Sequence, residues 1–139
     1  MDAYERALKL LAIREHSSRE IHDKLISKGY GKDEVDDAIS RLIDEHSLSD
    51  ERYAASFIRS RLKRNPEGRM VLRMRLMEKG VPGDIAEKAL SDSWDNEEYL
   101  PFLRTYMESL VRKKGESGAR AMLLRKGFRE SEIRRAMEE

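Results

Sequence analysis

Cysteine is absent from the sequence, which excludes both a disulfide framework and a thiolate metal centre. Aromatic residues are scarce at 6%, so any core must be built mostly from aliphatic side chains. Long apolar runs are also missing. Lys, Arg or Glu interrupts every hydrophobic stretch well before the roughly twenty residues that span a bilayer. The first residues carry Asp2 and Glu5 where an export signal needs a basic start and an apolar stretch. A cytoplasmic location without membrane attachment is therefore expected. The three histidines, His16, His22 and His46, form no zinc motif, and no phosphate-cradling glycine loop or nucleophile elbow occurs. Neither an enzyme nor a cofactor is expected.

What the sequence has in abundance is charge, at 40% of residues, with a formal net charge of only +1. That near-balance hides segregation. Residues 1–51 hold 8 basic and 13 acidic side chains, and residues 52–79 hold 9 and 2. Residues 80–108 then hold 2 and 7, and residues 109–139 hold 9 and 5. A surface divided in this way suits a polyanionic or mixed-charge partner. Solvated helix faces with charges paired across neighbouring turns would give the same composition.

The dipeptide Lys-Gly returns at Lys28-Gly29, Lys79-Gly80 and Lys126-Gly127, an interval of about fifty residues that marks an internal repeat. Each copy has a Leu three places before the Lys (Leu25, Leu76, Leu123) and an apolar residue after the Gly (Tyr30, Val81, Phe128). Nine places after each Gly stands an Ala followed by an aliphatic side chain: Ala38-Ile39, Ala89-Leu90 and Ala136-Met137. Each copy therefore reads as a helix stopped by glycine in the left-handed conformation, followed by a second helix with acids near its start. Ser17 and Glu20 have capping-box spacing and should open the first of these helices.

A further helix precedes each pair, predicted over 2–15, 50–63 and 96–113 from apolar spacing at Ala7, Leu8 and Leu11, at Tyr53, Ala54, Phe57 and Ile58, and at Leu103, Tyr106 and Leu110. Pro101 falls in a first turn, where a missing N–H is tolerated. The expected fold is all-α: three tandem three-helix repeats, residues 1–48, 49–94 and 95–139, forming an elongated, curved helical array. One unit buries too little surface to stand alone, so the units should stack or share cores. Extended connections are expected at 64–68 and 91–96, with Trp94 pinning the second and third copies together. The repeats supply one another with apolar partners, so a monomer is expected.

At this point the sequence resembles the RecX family of regulatory proteins. Ala7-Leu8, Leu11-Ala12, Arg14, Ser17, Glu20-Ile21 and Leu25 resemble that family's opening motif, with Ile21 where a leucine is common. Leu48-Ser49-Asp50-Glu51-Arg52-Tyr53-Ala54, continuing into Arg59 and Arg61, resembles its second motif. Leu124-Arg125-Lys126-Gly127-Phe128 with Ile133 resembles its closing pattern, here with Lys126 in the middle. The resemblance covers nearly the whole chain. It implies a modulator, usually an inhibitor, of the RecA recombinase in homologous recombination and the DNA damage response. Such a protein lies in the groove of the RecA filament on single-stranded DNA and limits filament growth, ATP hydrolysis and strand exchange. The motif residues themselves read as structural: Ser17, Gly29, Asp50 and Gly80 cap or end helices, and Leu25, Phe57 and Leu76 fill cores.

The candidate contact residues are the basic ones. Arg59, Arg61, Lys63, Arg64, Arg69, Arg73, Arg75 and Lys79 include like charges one helical turn apart, each such pair unfavourable by about 0.2–0.5 kcal/mol. Only Glu67 and Glu78 lie nearby in sequence, so phosphates or an acidic protein face would relieve the repulsion. Acids folding over from another copy would do the same. A second set, Arg112, Lys113, Lys114, Arg120 and Arg125, extends the candidate RecA-filament and DNA-binding surface; Glu130, Glu132, Glu138 and Glu139 offer internal partners there. Asp33, Glu34, Asp36 and Asp37 crowd five positions but lack calcium-loop spacing and read as a helix start. Tyr53, Phe57, Tyr99, Phe102 and Tyr106 could stack bases, but their helical spacing among aliphatic neighbours favours a core role. Two other readings remain open: an independent helical DNA-binding protein, and a structural adaptor for an acidic protein. The first lacks a helix rich in Asn, Gln and Arg to read base edges.

Overall fold

The computed structural model describes residues 1–138, and every secondary-structure element among them is a helix. In chain order they are α1 (Ala3–Ile13), α2 (Ser18–Ser27), α3 (Lys32–Asp44), α4 (Asp50–Arg64), α5 (Arg69–Glu78), α6 (Gly83–Asp95), α7 (Tyr99–Arg125) and α8 (Glu130–Met137). Gly115, at φ 78° and ψ 171°, bends α7 into two arms, 99–114 and 116–125. With that bend the chain is three helices taken three times, the all-α tandem-repeat fold that the Lys-Gly spacing predicts.

The repeated signature is one hydrogen-bonded turn. Gly29, Gly80 and Gly127 all take positive φ, at 97°, 87° and 95°. The N–H of the next residue then donates to the carbonyl of the Leu five places back: Tyr30 to Leu25, Val81 to Leu76, Phe128 to Leu123, at 3.0–3.2 Å. This is the double-bonded helix stop in which only glycine takes the left-handed position without a Cβ clash. Leu25, Leu76 and Leu123 are fully buried, so the same residue closes the turn and fills the core.

The hydrophobic residues form two separate cores. Ala3, Ala7, Ile21, Leu25, Val35, Ala38, Leu42 and Leu48 pack among α1–α3. A larger core runs without interruption from α4 to α8 and includes Tyr53, Leu72, Leu90, Trp94, Tyr99, Leu103 and Ile133, with Phe57, Phe102 and Tyr106 packed against it. The aromatics are therefore core residues. Trp94 stacks on Tyr99 with ring centroids 4.9 Å apart, and its Nε1–H donates to Glu132 at 2.5 Å. It clasps α6 to α7 and α8, as its place between the copies predicts.

Two expectations require correction. Residues 91–95 are not a connection but the last turn and a half of α6; burial of Ser93 and Trp94 outweighs the turn-like polarity of Ser-Asp-Ser. The following helix accordingly starts at Tyr99 rather than Asn96. Nor does Asp50 cap its own helix: Ser49 does, accepting from Arg52 N, while Asp50 accepts from Ser18 N at 2.8 Å. Asp50 thus caps α2, a helix in the preceding unit.

That contact belongs to a joint made twice. Ser17, Gly68 and Gly115 each stand eleven residues before the Lys of a Lys-Gly pair. Ser17 and Gly68 are both extended N-caps, at φ −74° and −73°. The Ser17 hydroxyl, which also completes a capping box with Glu20, donates to the carbonyl of Lys79 at 2.7 Å. Gly68 N–H donates to the carbonyl of Lys126 at 2.8 Å. Each helix start thereby rests on the Lys-Gly turn of the next unit. The first joint is bordered by an Arg52–Glu15 ion pair at 3.1 Å. Next to it lies His16, 2% exposed, whose Nδ1–H donates to the Arg14 carbonyl while Nε2 accepts from Lys24 Nζ at 2.8 Å. Burial holds its pKa below the ordinary histidine value, and the charges of Arg14 and Lys24 push the same way.

Candidate interaction surface

The basic stretch that sequence spacing groups together is divided by the fold. Glu67, 4% exposed, lies between two guanidinium groups: Arg75 binds it through two nitrogens at 2.6–3.0 Å and Arg61 at 3.1 Å. On α6, Glu87 accepts from Arg69 at 2.5 Å and pairs with Arg73 at 3.3 Å, while Ser91 and Asp95 also contact Arg69. The hydrogen bond from Arg69 holds the Glu87 carboxyl below the usual range. The like-charge repulsion expected along α5 is thus offset inside the second unit, by Glu67 and Glu87, and not by acids of another copy.

Lys63, Arg64 and Lys79 are exposed and make no ion pair among the described residues. Arg59, also exposed, borders a groove of about 990 Å³ between α4 and α6, closed at one end by the start of α7. Ile58, Ile85, Ala89 and Phe102 line it, and Glu51, Asp84 and Asp92 share its rim. Arg59 therefore faces a mixed rim rather than the side on which Arg61 and Arg75 hold Glu67.

In the third unit Arg120 pairs with Glu130 at 2.6 Å. Arg112, Lys113, Lys114 and Arg125 are exposed and have no ion pair among the described residues. Lys126 Nζ bonds to the side-chain oxygen of Asn65 and lies 5.7 Å from the centroid of the Tyr106 ring, so among the described residues its charge meets neutral groups. Together with the Gly68–Lys126 bond, this draws the end of α4 against the end of α7. Their chain neighbours Lys63, Arg64 and Arg125 consequently flank one joint as cations without an ion pair among the described residues. Lys126, which reasoning by sequence cluster alone passes over, is the residue that assembles this patch.

Among the described residues no group of three or more His, Cys, Asp or Glu is placed to hold a metal ion, and no helix is long and apolar enough to cross a membrane. Fold and surface together define an all-helical tandem-repeat protein whose exposed cations are separated from those that brace its units. The chain belongs to the RecX family. The model of the first RecX three-helix domain matches residues 3–42, and that of the second matches residues 49–90. The chain is 37% identical to the regulatory protein RecX of Prosthecochloris aestuarii, over 99% of this chain and 92% of that one. It is 42% identical to that of Chlorobaculum tepidum, over 64% of this chain and 56% of the relative's length. The crystal structure of RecX from Lactobacillus salivarius superposes with a TM-score of 0.78 at 27% identity, covering 97% of this chain and 92% of that one. Membership places the chain among regulatory proteins.

Proposed function

We propose that the chain is a non-catalytic cytoplasmic regulator that binds the RecA filament on single-stranded DNA. By doing so it limits filament growth, ATP hydrolysis and strand exchange. The observation that carries this reading is the second joint, where the Asn65–Lys126 and Gly68–Lys126 bonds bring together the helix ends that carry Lys63, Arg64 and Arg125, cations with no ion pair among the described residues. Phosphate oxygens or an acidic filament face would supply the missing charge. Arg61, Arg69, Arg73, Arg75 and Arg120 serve instead to hold helices together. The units 1–48, 49–94 and 95–139 are proposed as the elements that lie along the filament; the separate core of α1–α3 supports the first of these boundaries.

The test is DNA-dependent ATP turnover by the cognate recombinase, with the protein titrated from well below one per recombinase to excess. Inhibition at substoichiometric amounts is expected, and is expected to be lost when Lys63, Arg64 and Arg125 are each changed to Glu. No effect at any ratio, alongside tight binding to naked DNA, would overturn the proposal in favour of an independent DNA-binding protein.

A further inference from the structure

The internal joint has two open halves, one at each end of the chain. Gly115 holds the corresponding place in the sequence, at the start of the second helix of its unit, with ψ extended at 171° but φ at 78°, opposite in sign to Ser17 and Gly68. It is exposed, and nothing among the described residues lies within 4 Å of the place its Cβ would take. At the other end the Lys28-Gly29 turn corresponds to Lys79-Gly80 and Lys126-Gly127. Those two turns are covered, Gly80 by the side chain of Arg19 and Gly127 by Val71 and Gly68, whereas Gly29 is exposed with none of the described residues within 4 Å of the place its Cβ would take. One end thus carries an uncovered turn, and the other carries an uncovered helix start of the kind that covers such a turn.

The charges at these ends are complementary in the same register. At the first joint Glu15, two residues before Ser17, pairs with Arg52, three residues after the N-cap of α4. At the second joint the corresponding positions are Pro66, two before Gly68, and Pro101, three after the N-cap of α7. At the open ends they are Lys113, two before Gly115, and Glu5, three after the N-cap of α1. The ion pair returns with its signs exchanged. Both residues are exposed and neither is in an ion pair among the described residues. Around them Arg112 and Lys114 lie at one end, and Asp33 and Asp37, just past the Lys28-Gly29 turn, at the other.

We propose that copies of this chain join end to end through a third version of the internal joint, the Gly115 end of one copy resting on the Lys28-Gly29 turn of the next with Lys113 against Glu5. The contact is heterologous, so it generates a row or a closed ring rather than a two-fold dimer. It is polar, like the joint between the first and second units, and is weakened by salt. The inference is independent of the proposed function, because the association requires neither DNA nor recombinase.

Sedimentation velocity of the full chain over a concentration series, at low and high salt, reads the assembly directly. The expected result is an apparent mass that climbs past twice the monomer as concentration rises and falls back with salt. Lys113→Glu and Glu5→Lys each place like charges at the contact and should leave a monomer, while the two together in one chain restore the pair and the association. A wild-type chain that remains monomeric, a mass that stops at two copies, single variants that assemble as the wild type does, or a double variant that stays monomeric would each overturn the proposal.

Discussion

Replacing Gly68 by Ala should separate the second and third units. The backbone at this position is at φ −73°, so alanine meets no conformational strain there. The obstacle is across the joint: its Cβ would stand 2.0 Å from the carbonyl oxygen of Gly127, 2.2 Å from the carbonyl carbon and 2.8 Å from Phe128 N. All three are backbone atoms, so no side chain can turn aside, and the second arm of α7 must retreat by roughly 1 Å or more to restore van der Waals contact. That retreat breaks the Gly68–Lys126 hydrogen bond, worth about 1 kcal/mol, and loosens a shared core at about 1–3 kcal/mol. The expected loss is therefore about 2–4 kcal/mol, a large share of a typical domain's stability. Urea unfolding followed through the fluorescence of Trp94, the sole tryptophan, reads this joint from within. Gly29→Ala is the control. Its φ of 97° imposes the left-handed penalty of about 1–2 kcal/mol, but none of the described residues lies within 4 Å of the new methyl. If Gly68→Ala unfolds with the wild-type midpoint, or less unfavourably shifted than Gly29→Ala, the close backbone approach does not govern this joint.

Three other outcomes are expected. His16 has a pKa held below its unfolded value of about 6.5, so the unfolded chain binds the extra proton first; its contribution to stability is complete above that value and is lost as pH falls toward the lower folded pKa. Thermal midpoints measured from pH 7.5 downward should show this decline, and His16→Asn should flatten it. Glu67→Ala frees Arg61 and Arg75, whose side chains are 33% and 40% exposed and can reach water, so the loss should be about 1–2 kcal/mol rather than the full amount for a sealed pair. Differential scanning calorimetry measures it, and a shift under half a degree would count against a bracing role. Finally, binding to single-stranded DNA should weaken with log salt at about −0.7 per phosphate contact. Reversing Lys63, Arg64 and Arg125 should flatten that slope in a fluorescence anisotropy titration, whereas reversing Arg69 and Arg73 should lower the unfolding midpoint and leave the slope largely intact.

The repeat was legible because its mark is local: a Leu, a Lys-Gly and an apolar residue within six positions are the chemistry of one turn, which the fold uses three times unchanged. The Ser17 cap was legible for the same reason. Partners remote in sequence were not. Glu87 lies eighteen residues from Arg69 and Asn65 sixty-one from Lys126, so only the packing of α5 on α6 and of α4 beside α7 shows which cations are spent and which remain. The equivalence of Ser17 and Gly68 was hidden by chemistry. At the first joint a hydroxyl reaches the carbonyl, while at the second the backbone N–H itself does and no side chain fits. A search for similar residues could not align positions whose likeness lies in what they touch.

The two cores give the molecule a mechanical asymmetry. From α4 to α8 the apolar packing is continuous, so this part moves as one stiff body. The unit α1–α3 keeps its own core and meets the rest largely through polar contacts near Ser17, Ser18 and Glu15. Under tension between its ends the chain should yield first at that seam, exchanging a few hydrogen bonds for water while both cores stay dry. That seam is expected to let the first unit change its reach and angle without unfolding any helix.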